Sequence, residues 1–323
     1  MPRASRVDLP TGLRQRPAAD RQFGSPYTHD MNDISHESIS ANDAGVALAD
    51  AGRYSEALAF YEEALSLAPT WYAPHLNIGI ACKHVGDWER SLAACLRAWN
   101  LDAQRAGSGA LWNVGVAATA LGDWSHARWA WANVGIAMPE GEGPIDLNIG
   151  AKPIRVNVSA YPEVVWCHRI DPARARIESI PTPESGRRYG DLLLHDGEPR
   201  GKRRYGEQLC TVFDEFAVLQ VSPFRTWKIE IAAPSEQELD ELFRAVAEGS
   251  EAACEDWTAN LEALCRHCSE GTPHEHARKP EHPWKRQRTV AVATVDDTIF
   301  AIVETWALAG GGRSVSHPVL VTP

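Results

Sequence analysis

AGVALADAGRYSEALAFYEEALSLAP, residues 44–69, reads as one helical hairpin: two alanine- and leucine-rich stretches joined at Gly52-Arg53 and closed by Pro69. Gly45 and Gly52 stand seven residues apart in it. The pair recurs as Gly79 and Gly86 and again as Gly115 and Gly122, with successive starts 34 and 36 residues on. Each second glycine opens a turn: Gly52-Arg53-Tyr54, Gly86-Asp87-Trp88, Gly122-Asp123-Trp124. Self-similarity at this period marks an array of helical hairpins. One hairpin cannot bury its apolar face, so units stack, and three is the smallest number expected to be stable.

On these residues the chain resembles the tetratricopeptide repeat family over about 38–140. In the first unit Gly45, Leu48, Gly52, Tyr54, Ala57, Tyr61, Ala64 and Pro69 fall on the family's small, large, turn and packing positions. The second keeps Gly79, Gly86, Trp88, Leu92 and Ala98, with Ser91 and Ala103 as departures. The third keeps Gly115, Gly122, Trp124, Ala127, Trp131 and Pro139, with Val134 as its departure. The resemblance implies an all-α array of three repeats, right-handed and curved, whose concave groove binds a peptide or an extended segment of another protein. It does not imply catalysis.

First helices of the units would present Asn42, Val46 and Ala49, then Leu76, Ile80 and Lys83, then Trp112, Val116 and Thr119 to that groove, with Asn77 and Asn113 at equivalent positions. The clamp with which family members hold chaperone carboxyl termini uses lysines, arginines and asparagines. Only Asn77 matches it, and Val46 and the third unit depart from it. The groove is otherwise apolar and suits an apolar or helical segment, including the chain's own second domain. Seven of twelve tryptophans lie between Trp71 and Trp131, so most are expected between helices, with Trp112 as an exposed anchor for a ligand.

Outward from the repeats, residues 1–37 carry scattered arginines, acids and prolines without an apolar period, and a disordered tail is expected. Met31, just before the first element, is an alternative start. No run of 18 apolar residues and no secretory h-region occurs, which leads to a cytoplasmic expectation. The 323 residues suffice for two domains, and a net charge of -11 argues against nucleic-acid binding through the whole surface. Basic stretches at 186–206 and 271–289 are read first as solvated faces or complements of the acidic stretch 234–262.

From 150 to 323 the period changes to that of an α+β domain. Short apolar runs over 152–225, separated by Asp-Pro, Pro-Thr-Pro and Asp-Gly, predict a β-rich segment of open or closed form. Thr226–Ala232 then predicts a strand, and Ser235 with Glu238 a capping box opening a helix with Leu239, Leu242, Phe243 and Val246 inward. A strand over Thr289–Val295, a helix capped by Asp296 and carrying Ile299, Ile302, Val303 and Trp306, and a last strand within Val315–Val321 complete a ferredoxin-like order. Its second strand must lie within 251–266, unless Trp257–His267 forms a third helix.

The chemistry-bearing set is Cys265-x-x-Cys268 followed by His274-x-His276, in a Cys/His loop over 265–282. Two thiolates and two imidazoles are the ligand set of a structural Zn, which would order a loop without a hydrophobic period. His282, His267 and Cys254 are reserve ligands, and free thiols or a disulfide are the alternatives. A catalytic zinc would need an open position and a base such as Glu270 or Glu275. Cys167-His168 does not form a nucleophile and base, because neighbours on a strand face opposite ways.

The expected protein is an adaptor or regulatory module, more readily a binder than an enzyme. It would recognise a partner through Asn42, Asn77, Ile80, Lys83, Trp112, Asn113 and Val116, with a zinc-stabilised second domain. A zinc-dependent enzyme and a nucleic-acid-binding regulator are the alternatives.

Overall fold

The computed structural model describes residues 34–102, 108–205, 208–259 and 284–323. Six helices open it: α1 (His36–Asp50), α2 (Tyr54–Leu67), α3 (Tyr72–Val85), α4 (Trp88–Leu101), α5 (Ser108–Leu121) and α6 (Trp124–Asn133). They pack as three successive hairpins, each against the next. Of the tail expected over 1–37, residues 1–33 lie outside the described residues. Helix α1 starts at His36, where Ser38 N–H donates to the Ser35 hydroxyl at 3.1 Å.

The repeating glycines do two jobs. Gly52, Gly86 and Gly122 take left-handed backbone (φ 75°, 79° and 70°) between the helices of each hairpin. Gly45 and Gly115 let a ring lie on the backbone. A Cβ at Gly45 would stand 2.5 Å from Tyr61 Cε1, and one at Gly115 2.6 Å from Trp131 Cη2. Those rings are almost wholly buried (2% and 0% exposed), so Tyr61 and Trp131 are the packing residues expected of them.

The segment from 150 to 220 closes on itself. β1 (Gly150–Val156), β2 (Glu163–Arg169), β3 (Arg174–Ile177), β4 (Leu192–His195) and β6 (Gln208–Gln220) follow one another as antiparallel neighbours, and β6 returns to β1 in parallel, Ile154 opposite Phe213. Among the described residues, β5 (Gly201–Tyr205) is paired to β6 alone. Ile154, Val156, Val165, Cys167, Ala175, Ile177 and Leu193 fill the closed sheet. Cys167 is buried there, whereas the His168 ring is 3.8 Å from Glu178 on the half-exposed side, the opposite facing that strand geometry requires.

A five-stranded sheet follows: β7 (Arg225–Ala232), α7 (Glu236–Gly249), β8 (Ala253–Asp256), β9 (Gln287–Thr294), α8 (Thr298–Ala309), β10 (Ser314–Val315) and β11 (Val319–Thr322). Its strands run β10-β7-β9-β8, all neighbours antiparallel, with β11 continuing beside β7. Both helices cover one face, where Leu239, Leu242, Val246, Ile299, Val303 and Trp306 meet Ile229, Ile231, Val290 and Val292. On the other face Ala291 and Ala293 meet Ile180 and Trp257, whose indole N–H donates to the Ile180 carbonyl at 3.3 Å. The strand sought within 251–266 is β8. The remainder of a helix over Trp257–His267 lies outside the described residues, from 260 on.

Two caps differ from expectation. Ser235 precedes α7, but its hydroxyl faces the Glu238 carboxylate at 3.4 Å instead of accepting a backbone N–H, so the reciprocal box is not made. Asp297 is the residue before α8, while Asp296 accepts from Thr298 N–H at 3.0 Å one step earlier.

Candidate protein-binding groove

The groove residues read from sequence, on the first helices α1, α3 and α5, fall into two groups. Toward the third repeat the face is covered by the β region. Val116 (0% exposed) shares a core with Ile145, Ala173 and Leu194, flanked by Trp112, Phe216, Ala217 and Leu219. Toward the first repeat, Ile39 and Val46 keep 39% and 36% of their surface and, among the described residues, join no core cluster.

Between the two lies a buried charge pair. Lys83, near the end of α3, donates from Nζ to Asp196 Oδ2 at 2.9 Å, and its ammonium sits 5.0 Å from the centre of the Phe216 ring. Trp112 of α5 donates its indole N–H to Asp196 Oδ1 at 3.1 Å, and Gly197 N–H reaches the same oxygen at 2.7 Å. Asp196 follows β4 in the turn to β5, whose approach depends on Gly197: a Cβ there would stand 2.0 Å from Trp112 Cζ2. Burial alone would raise the Asp196 carboxyl. The Lys83 charge and the hydrogen bonds from Lys83, Trp112 and Gly197 outweigh it and hold the group below the usual aspartate value.

Two histidines flank this pair. The His84 ring stacks on Tyr54 at 3.9 Å with an interplanar angle of 1° and meets the edge of Phe216 at 5.1 Å. His195, wholly buried, donates Nδ1–H to the Asp196 carbonyl at 2.8 Å, since a carbonyl only accepts. Burial first, and then the neighbouring cations Lys83 and Arg169, push His84 down to about 4 and His195 down to about 3.

The remaining sequence-read positions divide by reach. Asn77 donates to Asn42 Oδ1 at 2.9 Å, which joins α3 to α1. Asn113 turns its amide into its own helix, donating to the Gly109 carbonyl at 2.8 Å, and is 6% exposed. Ile80 is half-buried between the groups. Trp112 is likewise half-covered, held by Asp196 and by the edge of Trp131 at 4.9 Å, and so differs from the exposed anchor read in the sequence. Sequence reasoning named Asp196 and Gly197 only as turn residues. A carboxylate and a glycine in one loop gave no sign of a lysine 113 positions away.

Cys265, Cys268, His274 and His276 lie outside the described residues, as do His267 and His282. Among the described residues no group of three or more His, Cys, Asp or Glu is placed to hold a metal ion. Cys254 sits on β8 with its thiol pushed up by burial. Also among the described residues, no helix is long and apolar enough to cross a membrane.

The family model of the tetratricopeptide repeat matches residues 40–71, which take in α1 from residue 40 on, the Gly52 turn and α2. Residues 40–71 are a tetratricopeptide repeat. No curated protein matches the chain. Solved repeat domains match about 30% of its length. The second such domain of Spaghetti (RPAP3), bound to an HSP90 peptide, is 24% identical with a TM-score of 0.29, and the match covers 31% of this chain and 90% of that one. The second domain of human RPAP3, in complex with an HSP70 peptide, is also 24% identical (TM-score 0.29; 30% and 80% covered). The Arabidopsis OM64 repeat domain is 20% identical (TM-score 0.29; 30% and 78% covered).

Proposed function

We propose that the chain is a protein-binding adaptor whose repeat groove is shared by two occupants. Its own β region takes the part formed by the second and third hairpins, and a segment of a partner protein takes the part formed by the first. The observation that carries this reading is the convergence of Lys83 Nζ and Trp112 Nε1 on the Asp196 carboxylate. Two groove positions make the contacts of a ligand site with a turn of the same chain. The open remainder, with Ile39 and Val46 exposed beside the Asn42–Asn77 pair, suits a segment that inserts one or two aliphatic side chains.

The organisation we infer is three repeats over 38–140 and an α+β domain over 150–323. The strand order β10-β7-β9-β8, with a helix after β7 and another after β9, supports reading the end of that domain as a ferredoxin-like sandwich. A structural zinc held by Cys265, Cys268, His274 and His276 belongs to the same reading, supported by ligand type and spacing. About one zinc per chain, lost in Cys265→Ser/Cys268→Ser, is the expected metal content. Metal-free protein purified under reducing, chelator-free conditions would remove zinc from the account. The unpaired Cys82, Cys95, Cys167, Cys210 and Cys254 support a reducing, cytoplasmic setting.

Partner capture by the full chain tests the proposal. Ile39→Ser/Val46→Ser is expected to abolish recovery of proteins bound by the parent chain, while Trp129→Ser, 38% exposed on α6, leaves recovery intact. Equal recovery by both variants, with the fold retained, would remove the first repeat from the site.

A further inference from the structure

We infer that the seat of the β region on the array is an acid-sensitive latch: protonation of His84 and His195, the two histidines flanking Lys83–Asp196, releases the Asp196 turn from the groove. The inference rests on the reading of the β region as the groove's occupant.

Charge around His84 is unbalanced. It is faced by Lys83 from its own helix, by Tyr54 from α2, and by Asp196 and Arg200 from the β4–β5 turn. Arg200 is 2.7 Å from Glu198 and 3.5 Å from Asp214, and Asp196 already serves Lys83. A proton on His84 adds a further cation to a site where, among the described residues, Asp196 already serves Lys83 and the acids beside Arg200 already serve Arg200.

His195 is still less able to hold a proton. Because Nδ1–H is committed to the Asp196 carbonyl, the neutral ring leaves Nε2 as an acceptor, and that atom is buried with no hydrogen-bond partner among the described residues. Arg169 faces it from β2, and Phe213 of β6 lies 5.6 Å away, ring to ring. Across the ladder, Glu215 is bound by Arg187. Protonation would place an N–H without an acceptor beside a guanidinium, at the residue whose neighbour is Asp196. Moving the β4–β5 turn outward relieves both histidines and breaks the Lys83 and Trp112 bonds in the same motion.

The sign follows from the depressed values. Both groups are held near 4 and 3 when the groove is closed and return toward about 6.5 when it opens. The closed form is therefore at full strength above pH ~6.5 and loses stability as pH falls toward 4. At pH 5 each histidine shifts the opening equilibrium about 30-fold, and the two together about a thousand-fold, when one movement exposes both. Asp196, held below its usual value, stays ionised through this window.

Hydrogen exchange on the full chain at pH 7.5 and 5.0, corrected for the intrinsic pH dependence of exchange, tests the latch. Peptides from α5 and from the β4–β5 turn are expected to lose about 30-fold or more of their protection at pH 5.0. In His84→Phe/His195→Asn that loss disappears. His84→Phe alone, which keeps the stack on Tyr54, serves where the double variant does not fold and is expected to remove about 30-fold of it. Unchanged protection at pH 5.0, or the same loss in the variants, overturns the latch and leaves the occupied groove standing. No protection at either pH overturns the occupied groove itself.

Discussion

The first repeat and the third present the same positions to the groove with opposite outcomes. Val46 and Val116 stand one residue after Gly45 and Gly115, each valine on a first helix, yet Val46 keeps 36% of its surface and Val116 keeps none. The difference lies in what stands opposite. The third repeat has Leu194, Ala173 and Phe216 of the β region against it, while among the described residues no core cluster includes Val46. A repeat's concave residues are thus defined by occupancy as much as by sequence position, and an apolar groove residue can be half of a domain interface.

Substitutions can break this comparison at graded strength. Asp196→Ala should have the largest effect, because it strands the ammonium of Lys83, 6% exposed, in a covered site. A loss of about 3–5 kcal/mol is expected by urea unfolding. Replacing both partners, as Lys83→Met/Asp196→Leu, should cost much less, since no unpaired charge is left. Trp112→Phe keeps most of the ring's packing and removes only the N–H donor, at about 1–2 kcal/mol. On the open side Val46→Ser should change stability by about 0.5 kcal/mol or less while weakening partner capture. A Val46→Ser loss as large as that of Asp196→Ala would erase the distinction between the two halves.

The array was legible because its signals are local. Glycines seven apart, the turn opened by the second of them and the alanines of the following helix all fall within one hairpin, while the rings of Tyr61 on Gly45 and Trp131 on Gly115 appear only in the fold. The later helices and strands were legible for the same reason, through the 3.6- and 2-residue periods of α7, α8, β7 and β9. Closure of the β1–β6 sheet was not, because it rests on one parallel pairing, Ile154 with Phe213 and Arg155 with Asp214, between strands almost sixty residues apart. Lys83 and Trp112 stand in the sequence as candidate groove positions, but their contact with Asp196 does not show there. Asp196-Gly197 carries an ordinary turn signal, and only the folded chain brings its carboxylate to them. Asn113, equivalent to Asn77 in sequence, shows the reverse limit: the same residue type at the same position spans two repeats in one case and bonds its own helix in the other.

The most direct test of the occupied groove is a double-mutant cycle between Lys83→Met and Asp196→Asn, read as unfolding free energies of the full chain at pH 7.5. A buried, hydrogen-bonded pair joining the array to the β region should couple by about 1–3 kcal/mol. Additivity within about 0.3 kcal/mol would mean that the two side chains do not meet, and the groove of the second and third repeats would then stand open.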